Sequence, residues 1–586
     1  MKELQYLNKY FLKYKKRFLL GIVITIVAQI FSLFTPELVG NSIKIIEDFI
    51  KSGNQELNHL KINLLKNITL IILCTLIAGF LTFLMRQTLI VMSRHVEFDL
   101  KNEIFLHYEA LDQNFYKKNR TGDLMNRITE DVGKVRMYVG PAVMYTINTI
   151  IRFVAIIISM SSINWKLTLF SLLPLPILSY SIFILSKEIN KKSTKYQQNL
   201  SKLSSFTQEF FSGIRVIKAY ALESKRNTEF QSLSQESKAK NLSLSKTNAL
   251  FGPLMVFLIG LSYLIVILVG GNMYLKGEIK DLGVIAQFLL YIGMLVWPVA
   301  SFGWVSSLVQ EAEASQKRIN EFLQINPEIK NESKYNKKII GHIEFNNVCY
   351  TYNDTKIEAI QKINFNLSAG KTLAILGKTG SGKSTILNLI TRMHDINSGE
   401  IKIDGINIKS INLTHLRNNI SIVPQDPFLF SDSILNNIRF GKQNATEAEI
   451  IAVTKTASVH DNIMNFTDQY NTILGERGIT LSGGQKQRIS IARALLKEAP
   501  ILLLDDCLSA VDTETEENIL NNLKNILKSR TTIIVTHRVS SAKNADIIII
   551  LNEGKIEQQG THTELIKQEG YYKELYTKQL SEKEIA

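Results

Sequence analysis

The sequence predicts an α-helical transmembrane domain of six spans, with long intracellular helical hairpins, followed by a soluble α/β domain. Two observations carry the division. Long uncharged apolar runs fill the first half, and short strand-sized apolar runs bounded by turn residues fill the second. A third places chemistry in the second half: a glycine-rich loop sits between an apolar strand and a helix. At 586 residues the chain is too long for one ordinary core. Hydrophobic residues make up 45% and charged residues 21%, so it is their distribution that separates the halves, not their totals.

Six apolar segments reach the roughly 20 residues that a bilayer crossing takes. They are Phe18–Pro36, Ile68–Met85, Tyr138–Trp165, Leu167–Ser186, Thr247–Leu275 and Leu282–Gln310. The last two of these exceed the need, so tilt or extension into water is expected. An even number puts both ends on one side. Segments 1–17, 93–136 and 187–246 hold 26 Lys and Arg, against 7 in 37–67, at Lys166 and in 276–281. The excess places both termini and the soluble domain in the cytoplasm, with the chain multi-pass in the cytoplasmic (inner) membrane. It also accounts for the net charge of +15 without nucleic acid. No cleavable leader pattern is read at the N-terminus.

Ser93–Arg136 and Lys187–Lys246 contain no proline and few glycines. Each reads as a stiff helical hairpin reaching roughly 25 Å below the membrane at about 1.5 Å per residue. The tips are expected near Phe115–Gly122 and Gly213–Glu223. Arg152 lies mid-span, where it either lines a wet cavity or meets a structural partner in a neighbouring helix. Arg86 ends its apolar run and is expected to snorkel. Pro174, Pro176, Pro253 and Pro298 are expected kinks. Met294, Trp297 and Trp304 could meet a hydrophobic substrate, although helix packing is the commoner use of such residues. The domain boundaries read as 1–310 for the membrane domain, 311–340 for a linker that opens with an amphipathic helix at Glu311–Phe322, and 341–586 for the soluble domain.

Thr372–Leu376 reads as a buried strand. It runs into Gly377, Lys378, Thr379, Gly380, Ser381, Gly382, Lys383, Ser384 and Thr385, and a helix follows. This is a phosphate-binding loop in its strand–loop–helix setting. Glycines let backbone N–H groups converge on phosphate oxygens, and the helix N-terminus adds a favourable dipole. Lys383 would neutralise phosphate charge and Ser384 would ligate magnesium. Ile501–Leu504 is an apolar strand ending at Asp505, which suits a second magnesium anchor. Asp506 follows, where a base could polarise an attacking water. Thr531–Val535 is another buried strand, close before His537. Ligands of doubly wound sheets bind at such strand ends. Gln425 lies between the phosphate loop and Leu481–Gln485. Cys74, Cys349 and Cys507 form no pair of metal-ligand or disulfide spacing.

Taken in order, these residues resemble the ATP-binding cassette transporters, specifically half-transporters of the multidrug or lipid exporter type. The resemblance covers essentially the whole chain. Leu481-Ser482-Gly483-Gly484-Gln485 matches that family's diagnostic signature. Tyr352 matches the aromatic that stacks on adenine, and Gln425 the residue linking magnesium and the attacking water to the membrane domain. Thr472–Gly478 resembles the segment that touches the inner hairpins. Asp512 matches the loop that senses the partner cassette, and His537 the residue that holds the γ phosphate. The resemblance implies ATP and Mg2+ as ligands and a dimer in which Ser482, Gly483, Gly484 and Gln485 of one copy complete the other's ATP site. It implies ATP-driven export or flipping of hydrophobic or amphipathic molecules. An ATP-gated channel or regulatory subunit with little hydrolysis is the alternative.

One position departs from the family pattern. Most competent members carry Glu where this chain has Asp506, one methylene shorter. That fits either a slower homodimer or a heterodimer with a second half-transporter whose cassette carries Glu and a weakened signature.

Overall fold

The computed structural model describes residues 2–52, 57–331, 333–475, 478 and 481–585. The chain divides into two compact units. One comprises Met1–Ala110 and Asn119–Asn326, the other Leu111–Lys118 and Pro327–Ala586.

The first unit is helical. Six helical stretches are long and apolar enough to cross a membrane: Lys15–Lys51, Leu57–Ala110, Thr121–Ile163, Trp165–Ser212, Glu223–Leu275 and Gly283–Leu323. Each overlaps one of the six predicted apolar segments; Tyr138–Trp165 overruns its helix by two residues and Leu282–Gln310 begins one residue before its helix. The extra length lies in the charged extensions. The 54 residues of the second stretch would span about 80 Å at 1.5 Å per residue, well beyond the ~30 Å hydrocarbon core. Apolar side chains along this stretch, such as Leu76 and Phe80, are exposed, as a lipid-facing surface requires. Helix breaks fall at particular residues. Leu173, before Pro174, separates Trp165–Leu172 from Pro174–Ser212. Pro298, by contrast, sits inside the continuous helix Gly283–Leu323. Five-residue π-helical segments at Arg127–Asp131 and Tyr138–Ala142 interrupt the third stretch.

The structure supplies a partner for each of the two membrane arginines. Arg152 Nε donates to Gln29 Oε1 at 2.8 Å, and Gln29 Nε2 donates to Asn148 Oδ1 at 2.7 Å. Gln29 is buried. Arg86 Nη2 reaches the Tyr145 hydroxyl at 3.4 Å. Tyr145 also meets Trp304 edge to face, and Trp297 and Trp304 are exposed.

Short helices form at the predicted hairpin tips. Gln113–Lys118 lies at the first and Ile214–Ala219 at the second. The first of them, with Leu111 and Asp112, groups with the second compact unit. Asp112 Oδ2 accepts from Glu328 N at 2.9 Å, and Asn114 Nδ2 donates to Glu328 Oε2 at 2.8 Å.

The second unit holds two sheets. The strands are β1 (Ile343–Thr351), β2 (Glu358–Leu367), β3 (Thr372–Gly377), β4 (Ser398–Ile403), β5 (Ile406–Asn407), β6 (Ile420–Val423), β7 (Ile501–Asp505), β8 (Thr531–Val535), β9 (Ile547–Asn552) and β10 (Lys555–Gly560). The first sheet is ordered β2-β1-β4-β5 and is antiparallel. The second is ordered β10-β9-β3-β8-β7-β6. From β9 to β6 all its pairings are parallel, and β10 closes the edge antiparallel.

Period-2 alternation explains why β7 is apolar from Ile501 to Leu504. Ile501 and Leu503 enter one core with Phe345, Phe365, Leu373 and Val535. Leu502 and Leu504 enter another, with Ile489, Ile491, Ile519 and Leu523. A strand covered on both faces needs an uninterrupted hydrophobic run. A third cluster packs Ala374, Leu376, Ile548 and Ile550 against Val539, Leu565 and Tyr572. Parallel pairing brings the C-terminal ends of β3, β8, β7 and β6 to one edge, and the segments following them carry Lys378–Gly382, Thr536–Arg538, Asp506 and Gln425.

Candidate nucleotide site

The loop after β3 is shaped by glycines that no other residue could replace cheaply. Gly377 has φ of 151° and Gly382 has φ of 100°. A Cβ on Gly377 would lie 2.1 Å from the Leu551 carbonyl oxygen, and one on Gly382 2.3 Å from that of Ala359. Gly380, at φ of 83°, faces open space. Here glycine serves both the left-handed backbone and its close approach to neighbouring main chain. Gly382 caps the helix Lys383–Ile390.

Lys383 is 6% exposed, and its ammonium donates to the carbonyls of Gly377 and Lys378, both at 2.8 Å. Burial lowers its pKa, and the Asp506 and Asp505 carboxylates pull against that. Ser384 Oγ donates to Asp505 Oδ1 at 2.9 Å. Burial raises the Asp505 pKa, and neighbouring Asp506 adds to the rise. Asp506 itself stands at φ of 43°, and its N–H donates to Val535 O at 2.8 Å. Its pKa is raised by burial, while His537 and Lys383 hold it back. His537 is pushed below the ordinary imidazole value by burial and by Lys383. Two carboxyls that favour protonation, beside an imidazole and an ammonium that favour neutrality, mark a desolvated site.

A cleft of about 340 Å3 gathers these groups. Thr379, Gly380, Gly382, Lys383, Ser384 and Thr385 form one wall, and Gln425, Asp505, Asp506 and His537 another. Tyr352 stands at its side with Ile357 and Ala359. The Tyr352 hydroxyl meets Thr385 Oγ1 at 3.1 Å. Lys117, from the first hairpin tip, has its ammonium 5.3 Å from the Tyr352 ring centre. The cleft lining does not include Gly377, Lys378 or Ser381. Ser381 Oγ is buried and has no protein hydrogen-bond partner.

Ser482, Gly483, Gly484 and Gln485 do not line this cleft. They open a different helix, Gly483–Leu496, through a capping box. Ser482 Oγ accepts from Gln485 N at 3.3 Å, and Gln485 Oε1 accepts from Ser482 N at 2.9 Å. The Ser-x-x-Gln spacing carried that signal in the sequence. Gly484 lies close under the loop after β7, where a Cβ would come 2.9 Å from Ala510 O. Gln487 Oε1 accepts from Ala510 N at 3.2 Å. Asp512 caps the next helix, accepting from Thr515 N at 2.9 Å. Of Thr472–Gly478, residues Glu476 and Arg477 lie outside the described residues.

Several residues of the site are not singled out by the sequence. Glu516 is fully buried and pairs with Arg538, while Ser541 Oγ and Ser540 Oγ donate to its Oε1 at 2.5 and 3.1 Å. Arg538 also donates to Ser509 O at 3.3 Å. Arg493 pins the segment after Gln425, donating to Phe428 O at 2.9 Å and Asn437 O at 2.8 Å. His394 lies 2% exposed beneath Tyr350 and Tyr352.

Comparison with known proteins now gives the family. Residues 18–299 match the family model for the ABC transporter transmembrane region, and residues 360–509 match the one for the ABC transporter domain. The chain is 36% identical over 571 residues to the multidrug resistance-like ATP-binding protein MdlA of Escherichia coli, covering 97% of this chain and 95% of that one. It is 34% identical over 517 residues to the ATP-dependent lipid A-core flippase of Syntrophus aciditrophicus, covering 88% and 86%. A bacterial Atm1-family ABC exporter solved with ATP bound shares the fold, with a TM-score of 0.79 at 24% identity over 96% of this chain and 99% of that one. With both family models matched in order along one chain, and relatives alike over nearly its full length, this protein belongs to the ATP-binding cassette transporters and is a multi-pass membrane transport ATPase.

Proposed function

We propose that the chain is an exporter half-transporter that uses ATP to move or flip hydrophobic or amphipathic molecules, lipid or drug-like, across the cytoplasmic membrane by alternating access. Residues 1–310 form the membrane domain, 311–340 the linker and 341–586 the cassette, with both termini cytoplasmic. The observation that carries the reading is the shared cleft. A phosphate loop, two strand-end carboxyls, Gln425 and His537 converge there, in a chain with six spans. The similarity to proteins named as multidrug-resistance-like and as a lipid flippase supports the substrate class.

Within the cleft, Tyr352 stacks on adenine. Main-chain N–H groups of Thr379, Gly380, Gly382 and Ser384 face the phosphates, with the Thr385 hydroxyl beside them and Gly377, Lys378 and Ser381 shaping the turn that presents them. Lys383 neutralises phosphate charge. The donor set beside it is all oxygen, with the Ser384 hydroxyl bonded to Asp505 and Gln425 lining the same cleft, which suits magnesium. Ser384, Asp505 and Gln425 would hold the ion, which when bound offsets charge on the phosphate oxygens. Asp506 takes the proton of the attacking water, and neutral His537 donates to the γ phosphate.

Because Ser482–Gln485 lie outside the cleft, a second cassette's Ser482, Gly483, Gly484 and Gln485 complete it. That cassette belongs to another copy or to a second half-transporter.

The test is reconstitution of the protein in liposomes, measuring vanadate-sensitive ATPase and outward movement of a fluorescent lipid. Asp506→Asn is expected to stop both. Passive ion flux gated by ATP, without substrate movement, would replace this reading with the channel alternative.

A further inference from the structure

Several backbone polar groups of the turn after β8 have a definite partner, among them the His537 N–H, which bonds the Asp506 carboxyl. Val535 O accepts from Asp506 N at 2.8 Å, and Thr536 N donates to Ile375 O at 3.2 Å. Arg538 N donates to Thr536 Oγ1 at 3.0 Å. Two further groups, the carbonyl of His537 and the N–H of Val539, go to a single side chain. Gln579 Nε2 donates to His537 O at 2.9 Å, and Gln579 Oε1 accepts from Val539 N at 2.8 Å. A primary amide carries a donor and an acceptor side by side without charge, so it completes this turn as a strand neighbour would.

Gln579 lies on the helix Tyr571–Ile585. Tyr572, two turns earlier, is fully buried against the strands β3 and β9 and against Val539. Its hydroxyl meets His562 Nδ1 at 2.6 Å. The amide therefore projects from an anchored helix. On the other side, Arg538 is held by Glu516. Among the described residues no hydrogen bond to the His537 imidazole is found, so the ring's position depends on its backbone.

We propose that Gln579 is a positioning residue for His537, through which the C-terminal helix sets the hydrolytic geometry of the nucleotide cleft. This rests on the role given to His537 above. A displacement of about 1 Å at a reacting group costs up to about a hundredfold in rate. Gln579 supplies the bonds to His537 O and Val539 N, on either side of Arg538, and their loss is expected to cost about tenfold.

The test uses the full-length protein in liposomes, with ATP hydrolysis followed at single turnover and at steady state. Gln579→Leu, close in size but without the amide, is expected to lower kcat about tenfold with KM for ATP within about twofold of wild type. Gln579→Glu keeps the acceptor for Val539 N–H but loses the donor to His537 O. It is expected to show the same loss, and it decides the matter if the Leu variant fails to fold. Lys578→Ala, one position away, is the control expected to match wild type. Adding Gln579→Leu to His537→Ala is expected to cause no further loss. The proposal is overturned if the folded Gln579 variants keep kcat within twofold, or if KM and melting temperature move while kcat does not. It is also overturned if the two losses multiply. If His537→Ala itself leaves kcat unchanged, the role of His537 falls and the proposal with it. If only the Gln579 variants do, the proposal falls alone.

Discussion

Asp506→Glu is the substitution that tests the hydrolytic reading most sharply. The Asp506 backbone is fixed at a left-handed φ of 43° and tied to Val535 O at 2.8 Å, so the main chain cannot advance to make up a short side chain. Glutamate adds one carbon–carbon bond, about 1.5 Å of reach. Misplacement of about 1 Å can cost on the order of a hundredfold, roughly 2.7 kcal/mol of barrier at 1.36 kcal/mol per decade. If reach limits turnover in a self-dimer, Asp506→Glu raises kcat between about tenfold and a hundredfold. KM for ATP should stay within about threefold, because the carboxylate acts on the water rather than on nucleotide binding. The assay is vanadate-sensitive phosphate release in liposomes at saturating ATP, with Asp506→Asn as the inactive reference. A Glu variant no faster than wild type, together with an Asn variant equal to both, would refute the assignment of Asp506 as base. A Glu variant no faster beside a dead Asn variant would instead show that reach is not limiting.

Four further outcomes are expected. Gly382→Ala puts a Cβ 2.3 Å from the Ala359 carbonyl at φ of 100°, so ATP affinity should fall at least about tenfold, read by nucleotide titration; the left-handed backbone alone costs about 1–2 kcal/mol. Glu516→Ala strands Arg538 and two hydroxyls, and breaking such a pair costs about 3–5 kcal/mol when fully buried. The Arg538 side chain is 35% exposed, so the lower end is expected, and a double-mutant cycle with Arg538→Met that shows no coupling would contradict it. Burial, reinforced by Lys117, lowers the His394 pKa from its usual 6.5, so the unfolded chain binds more protons below that pH. Stability should therefore fall as pH drops from about 6.5 towards the folded value, and His394→Phe should flatten that limb of a melting-temperature profile. Finally, burial pushes the Cys507 thiol up to about 12, so iodoacetamide at pH 8 should label it only after denaturation, checked by peptide mass spectrometry.

The sequence was most legible where one local pattern suffices. The apolar runs marked six spans, and the phosphate loop was readable because glycine spacing, strand and helix are contiguous. Hairpin tips could be placed at Phe115–Gly122 and Gly213–Glu223, where stiff helical runs had to turn. Contacts made across the sheets were not readable. Glu516 and Arg538 meet only because β7 and β8 pair in parallel and bring the segments after them together. Gln579 sits in an ordinary polar helix, with nothing in its neighbourhood to mark it. His394 lies between the helix Lys383–Ile390 and β4, and only the fold packs it against Tyr350 and Tyr352. The capping box of Ser482 and Gln485 is legible in the Ser-x-x-Gln spacing itself.

The grouping of Leu111–Lys118 with Pro327–Ala586 bears on where the chain can be cut. A cassette expressed from Pro327 onward would lack eight residues of its own compact unit. Glu328 would lose both of its bonds to that segment, and Tyr352 would lose the ammonium over its ring. Nucleotide constants measured on such a fragment would describe a molecule whose cleft has lost the ammonium beside Tyr352. During synthesis, too, Asn114 leaves the ribosome 214 residues before Glu328, so this contact can close only once the intervening chain has been made.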